Sequence, residues 1–99
     1  MNGKILETVI YKPKPGVDPV AALAQIVAVM DPILHALPGF EKVWRSRTDD
    51  GTYVDTVIWS DEAAFRGAEA ASHANPALGP VFALFEESSL VMMKARLYE

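Results

Sequence analysis

The sequence predicts a single α+β domain in which an antiparallel four-stranded sheet packs against two helices on one face. Three features predict this fold: a β-hairpin signal near the middle of the chain, a helical pattern on each side of the hairpin, and a further strand-like run beyond each helix. The resulting β-α-β-β-α-β order, with right-handed crossovers, places the first and third strands at the centre of a sheet of order 4-1-3-2. The 99 residues leave room for one domain, residues 1–99.

The hairpin is predicted for residues 38–60, where two strand-like runs flank Asp50-Gly51. That dipeptide tolerates the positive φ that a tight reversal requires. The run after the turn is rich in β-branched and aromatic residues, which favour strands. The break at Pro38-Gly39 marks the beginning of the hairpin, and Ser60 stands where it can cap the helix that follows.

The first strand and the first helix come before the hairpin. Residues 4–12 alternate as a strand, and Asp18 is an expected N-cap with Pro19 at the first helical position. We expect Pro32 to kink or interrupt the last turns, because it lacks a backbone donor. The apolar stripe of this helix comprises Val20, Leu23, Ile26, Val27, Met30, Leu34 and Leu37.

The second helix and the last strand come after the hairpin. Residues 60–62 start the helix with two carboxylates at its positive end, and Asn75-Pro76 breaks it. Gly79-Pro80 should restart a short helix. Residues 90–98 alternate as the last strand.

Composition limits the classes of function. The formal net charge is -4 and the basic residues are scattered, which argues against a nucleic-acid-binding protein. The chain has no cysteine, so disulfides and thiolate chemistry are excluded. We find neither a signal-peptide core nor an apolar run long enough to span a bilayer, and we therefore expect a cytoplasmic protein that does not bind membranes.

The chain is rich in apolar residues for its size, since 51% are hydrophobic. Two helices can cover only one face of the sheet, so we expect a second copy to cover the other face and form a homodimer. A roomy apolar pocket is a compatible alternative. The apolar residues expected on the dimer face are Leu6, Ile10, Val54, Ile58, Val91, Met93 and Leu97.

Three groups of residues resemble a known family. They are Lys14-Pro15-Gly16 after the first strand, Pro38-Gly39-Phe40 before the second, and residues 57–64 (VIWSDEAA) at the start of the second helix. Together they resemble the antibiotic biosynthesis monooxygenase superfamily of dimeric α/β barrels. The resemblance covers nearly the whole chain. It implies a ferredoxin-like protomer, a homodimer formed through the sheets, and a pocket between sheet and helices.

That superfamily includes cofactor-independent oxygenases of aromatic polyketides and haem-degrading enzymes. Haem-degrading members carry an Asn on the first strand and a Trp and a His on the second helix. Here the candidate first-strand positions are Glu7 and Val9, the second helix has no Trp, and only His73 remains as a counterpart. Haem degradation is therefore not expected.

The candidate catalytic residues are Glu7, Asp55 and His73. Glu7 and Asp55 lie on strands predicted to be neighbours, and a carboxylate among apolar residues is costly to bury unless it is paired or protonated. Either carboxylate could serve as a general base, and His73 could serve as a base or favour the helix C-terminus. The structural alternative pairs each carboxylate with a cation on the same sheet: Lys42, Lys94 or Arg96.

The aromatic side chains predict a wall for a small aromatic or hydrophobic ligand, although such residues in strands more often belong to a core or an interface. The second helix is mostly Ala, so it either packs close to the sheet or leaves space beneath it. We predict a cavity between this helix, residues 76–85 and the sheet. The residues expected to contact the ligand are Tyr11, Trp44, Tyr53, Trp59, Phe65 and Phe82.

No metal-ligand spacing and no glycine-rich phosphate loop occurs in the sequence, so we expect no cofactor. Two classes of function remain. One is the cofactor-independent monooxygenase that the resemblance implies, which would deprotonate an electron-rich aromatic or quinol and hold the anion for reaction with oxygen. The other is a non-catalytic dimer that binds a small hydrophobic ligand or serves a stress-related role.

Overall fold

The computed structural model describes residues 3–98. The α+β fold and the predicted order of elements are confirmed. Two short 3-10 turns, Pro76–Leu78 and Glu87–Ser89, connect the later elements. The helices and strands are β1 (Ile5–Tyr11), α1 (Pro19–Ala36), β2 (Phe40–Arg47), β3 (Tyr53–Trp59), α2 (Glu62–Ala74), α3 (Gly79–Phe82) and β4 (Val91–Arg96).

The sheet is antiparallel throughout, and its order β2-β3-β1-β4 is the predicted one. Asp55 lies at the centre of the register, opposite Val9 on β1 and opposite Arg45 on β2. Because side chains alternate along a strand, the odd-numbered residues of β1 and β3, and those of β2 beyond the register shift at Phe40–Lys42, share one face with the even-numbered residues of β4. The helices pack on this face, which we call the inner face.

Two glycines of the hairpin have positive φ: +80° at Gly39, just before β2, and +89° at Gly51, in the turn between β2 and β3. A Cβ atom on Gly39 would lie 2.3 Å from the Cβ of Ala64 and 2.6 Å from the Oγ of Ser60. The beginning of β2 therefore packs directly against the first turn of α2. The N-cap of α2 is Asp61 rather than the predicted Ser60, since its carboxylate accepts a hydrogen bond of 2.8 Å from the Ala64 amide.

Helix α1 begins as predicted, with the Asp18 carboxylate accepting from the first amides and Pro19 in the first turn. It continues through Pro32, where we expected a kink or break. Pro32 is exposed, and so is Ala28, whose carbonyl loses its helical hydrogen-bond donor and is left to water. The loss of one backbone donor is therefore tolerated at this position.

We predicted that no apolar run was long enough to span a bilayer, but α1 meets that test by length and composition. Core helices and signal sequences pass the same test, so it carries little weight by itself. Ile26 and Leu34 of α1 are 2% and 7% exposed and pack into the domain.

The core divides into two clusters at opposite ends of β1. Ile5 belongs to the first cluster, with Trp59 and Phe65 among its members. Tyr11 belongs to the second, together with Tyr53 and other residues. Glu7 and Val9 face the same side of the sheet between these two ends, so the space between the clusters lies over the middle of β1.

The face of the sheet opposite the helices carries the predicted apolar residues. By strand alternation, Leu6, Ile10, Val54, Ile58, Val91 and Met93 point to this outer face, and Leu97 follows β4. Val91 is 48% exposed and Met93 is 58% exposed in the single chain. Exposed apolar side chains in such a group are typical of surfaces that associate.

Candidate functional site

A cavity of about 520 Å³ lies between the inner face of the sheet, the helices and the segment that follows α2. This is the position predicted for it, with one addition: α1 contributes a wall through Ile26, Met30 and Ile33. Most of the lining is aliphatic or aromatic. The polar lining residues are Glu7, Arg45, Asp55, Glu69, Ser72, His73 and Asn75.

Glu7 is partly buried in the middle of β1 and faces this cavity. Its Oε1 accepts a hydrogen bond of 2.9 Å from Trp59 Nε1, across the diagonal of the β1–β3 pair. Within residues 3–98, no Lys, Arg or His forms an ion pair with Glu7. Burial raises the pKa of Glu7, the Trp59 hydrogen bond opposes this rise, and the nearby charge of Glu69 adds to it.

Asp55 is buried and lies at the centre of a polar network. Its Oδ2 accepts a hydrogen bond of 2.8 Å from the Tyr11 hydroxyl and forms an ion pair of 2.9 Å with Arg45 Nη1. Arg45 Nη2 lies 2.6 Å from Oδ1 of Asp31 on α1. Arg45 on the edge strand β2 therefore links helix α1 to the central strand β3, and its single positive charge is shared by Asp31 and Asp55.

The network is not fully satisfied. In the described part of the chain, Arg45 Nε and Asp55 Oδ1 are buried without a hydrogen-bond partner. Burial raises the pKa of Asp55, and the hydrogen bond from Tyr11 and the charge of Arg45 oppose that rise. Burial and the Asp55 charge likewise raise the pKa of Tyr11, so the phenol remains a proton donor to Asp55.

The structure brings most of the predicted site residues together. Seven of the nine line the cavity: Glu7, Tyr11, Asp55, Trp59, Phe65, His73 and Phe82. His73 is exposed in the last turn of α2, and Phe82 is 42% exposed in α3. These two residues therefore belong to the more open side of the cavity.

Two predicted ligand contacts lie elsewhere. Tyr53 is fully buried behind Tyr11, their ring centroids 5.2 Å apart, and its hydroxyl donates to the Pro19 carbonyl. Trp44 lies on the outer face, 48% exposed, with the Lys42 ammonium 4.8 Å from its ring centroid. Trp44 pairs with Thr56, one residue out of phase with Asp55, and alternation therefore turns it away from the cavity.

The predicted cationic partners of the carboxylates are also engaged elsewhere. Lys94 pairs with Glu7 in the register, yet its ammonium lies 2.7 Å from Glu62 at the start of α2. Arg96 contacts the same Glu62 at 3.2 Å. Arg45 was not among the predicted partners, although the register of the hairpin puts it directly opposite Asp55.

No group of three or more His, Asp or Glu side chains in residues 3–98 is placed to hold a metal ion.

No protein-family model and no curated protein sequence matches the chain. Several solved structures share its fold. SnoaB, a cofactor-independent oxygenase from Streptomyces nogalater, has a TM-score of 0.79 and 20% identity over 98% of this chain and 95% of that one. A Bordetella bronchiseptica protein, described as a candidate antibiotic biosynthesis monooxygenase, has a TM-score of 0.78 and 18% identity over 98% and 99%.

A dimeric ferredoxin-like protein of unknown function from Thermobifida fusca has a TM-score of 0.75 and 13% identity, covering 98% of this chain and 93% of that one. At these identities the comparisons establish the fold and not the activity. The chain thus has the ferredoxin-like fold of the antibiotic biosynthesis monooxygenase-like proteins, as its sequence resemblance predicted.

Proposed function

We propose that this protein is a cytoplasmic homodimeric enzyme that oxidises an electron-rich aromatic or quinol with molecular oxygen and without a cofactor. The observation that carries the proposal is Glu7, a partly buried carboxylate with a raised pKa that faces an apolar cavity and forms no ion pair within residues 3–98. A cavity of about 520 Å³ is within the usual range for sites that bind small molecules. The shared fold of SnoaB, a cofactor-independent oxygenase, supports the same reaction class.

The chemistry asked of the protein is modest. A general base removes a proton from a phenol, and the electron-rich anion then reacts directly with oxygen. When a ring CH₂ becomes a ketone, the carbon gives up four electrons, one oxygen atom enters the product and the other leaves as water. Because oxygen accepts all four electrons, no external reductant is needed, and the protein supplies only the base and the apolar enclosure.

Glu7 is better suited to the role of base than the other two candidates. Asp55 already holds Tyr11 and Arg45 on one oxygen, and these donors favour its charged form and weaken it as a proton acceptor. His73 is exposed in the last turn of α2. Within the described residues Glu7 accepts from the neutral Trp59 donor alone, and burial raises its pKa, which makes it a stronger base.

Oxygen uptake with a panel of anthrones and dihydroxy-aromatics tests this proposal. We expect turnover by chelator-treated protein and a loss of about 100-fold or more in Glu7→Gln. Glu87→Gln, which changes an exposed carboxylate outside the cavity, is the matched control and should retain activity. Binding of these compounds without oxygen uptake would instead support the non-catalytic ligand-binding dimer.

The homodimer is proposed to form through the outer face of the sheet. Met93 lies on that face and Met92 on the inner face, and their exposures of 58% and 54% are similar in the single chain. Met93→Lys should therefore weaken the dimer in analytical ultracentrifugation, whereas Met92→Lys should leave it intact. A wild-type monomer at micromolar concentration, or equal effects of the two substitutions, would refute this interface.

A further inference from the structure

We propose that the cavity selects its ligand by charge: it takes a neutral aromatic whose polar groups donate hydrogen bonds, and it rejects the same compound carrying a carboxylate. The inference rests on the proposed function and deepens it, because it names the substrate class of the same cavity. Its basis is the arrangement of charged side chains around an apolar space.

Carboxylates dominate the charged lining. Glu7, Asp55 and Glu69 all line the cavity, whereas the basic lining among the described residues is one guanidinium, Arg45, and one imidazole, His73. Arg45 is already shared, at 2.9 Å from Asp55 and 2.6 Å from Asp31. A ligand anion entering the cavity would therefore meet like charges without an uncommitted guanidinium or ammonium to offset them.

The nearest basic residues of β4 do not change this balance. Lys94 stands opposite Glu7 in the sheet, but its ammonium lies 2.7 Å from Glu62 at the start of α2. Arg96 is bound to the same carboxylate at 3.2 Å. These charges stabilise the junction of α2 with β4, and among the described residues none of them forms an ion pair with Glu7.

The same carboxylates define what the ligand must present. An ionised carboxylate only accepts hydrogen bonds, and Glu7 keeps acceptor capacity beyond its one bond from Trp59. Glu7 and Asp55 are diagonal neighbours across the β1–β3 pair, with backbones on the order of 7–8 Å apart. A fused-ring aromatic with two well-separated hydroxyl groups matches this spacing, and its rings would fill the apolar volume between them.

Calorimetric titration with two matched probes tests the inference: a dihydroxynaphthalene and the corresponding dihydroxynaphthoic acid, at a pH where the acid is ionised. The neutral probe should bind, and the acid should bind at least about 10-fold more weakly. Glu69→Lys, which replaces an exposed carboxylate at the cavity, should reduce or invert the ratio of the two affinities. Glu87→Lys makes the same change in net charge away from the cavity and should leave the ratio unchanged.

The inference is overturned if the acid binds as tightly as the neutral probe, if neither probe binds, or if Glu87→Lys narrows the ratio as much as Glu69→Lys does. Because the assay measures binding alone, it separates this inference from the proposed oxidation. Charge-selective binding without oxygen uptake would sustain the inference and remove the oxidation. Oxygen uptake without a preference for the neutral probe would sustain the proposed oxidation and overturn the inference.

Discussion

Replacing Arg45 by methionine should destabilise the protein by about 3 kcal/mol, because it leaves the buried Asp55 carboxylate without its cation. The side chains of Arg45 and Asp55 are 12% and 11% exposed, so this pair is a buried one. Breaking such a pair from one side costs about 3–5 kcal/mol, and the hydrogen bond that Tyr11 keeps with Asp55 favours the lower end. The second pair contributes less than about 1 kcal/mol, since Asp31 is 34% exposed.

Urea denaturation and thermal melts at equal protein concentration measure this loss, which corresponds to a fall in Tm of about 12–24 °C for a domain of this size. Arg66→Met is the matched control. Arg66 is 65% exposed and pairs with Glu62 one helical turn away, so its loss should cost far less stability than the loss of Arg45.

The loss in Arg45→Met should also depend on pH. Burial already raises the pKa of Asp55, so the folded state binds this proton more tightly than the unfolded state does. Stability from such a group is present at low pH and is lost as pH rises through the folded-state pKa. Without Arg45 that pKa rises further, and the deficit of the variant should therefore shrink as the solution is acidified. A deficit equal to that of Arg66→Met, or one independent of pH, would refute this role for the network.

Two further predictions concern packing. Gly39→Ala should lower the free energy of unfolding by more than about 2 kcal/mol in urea denaturation, because φ at Gly39 is +80° and the new Cβ would lie 2.3 Å from the Cβ of Ala64. Ala64→Gly in the same chain should restore only part of that stability, since the backbone strain at residue 39 remains. Ala68→Leu should weaken ligand binding, because Ala68 lines the cavity. Ala71→Leu, on the exposed side of α2, should leave ligand binding unchanged. Equal effects of the two substitutions in calorimetry would show that the ligand binds elsewhere.

The elements of the fold could be predicted because each has a local signal. Asp50-Gly51 marks the turn, and Gly51 does have positive φ. Asp18 and Pro19 mark the start of α1. The break expected at Pro32 does not occur, because α1 is helical on both sides of this residue. Local propensity does not reveal that Pro32 would lie on an exposed side of the helix.

The candidate site was predictable as a set of side chains on one face but not as a network. Alternation along β1 and β3 put Glu7, Asp55 and Trp59 together. The prediction that Trp44 contacts the ligand was wrong because it did not use the strand register. For the same reason Arg45 was not predicted as the partner of Asp55. Counting outwards from the turn pairs residues 47 and 53, hence Arg45 with Asp55, and leaves Trp44 on the outer face.

Other features of the site depend on tertiary contacts that have no local signal. Asp31 reaches Arg45 only because α1 crosses the sheet at that point. The sequence pattern predicted Lys94 as a partner of Glu7, but Lys94 forms its ion pair with Glu62 because the start of α2 lies beside β4. Which of two nearby carboxylates captures a lysine is decided by the packing of helix on sheet.

The pH dependence of kcat/KM for oxygen uptake, in wild type and in Glu7→Gln, tests the role of Glu7 most directly. A base must be deprotonated to act, and burial raises the pKa of Glu7, so the wild-type rate should fall on acidification with a midpoint above the ordinary glutamate value of about 4.3. This limb should be absent from the residual activity of Glu7→Gln. A limb that persists in Glu7→Gln and disappears in His73→Ala would show that His73 is the base and would contradict the assignment of Glu7.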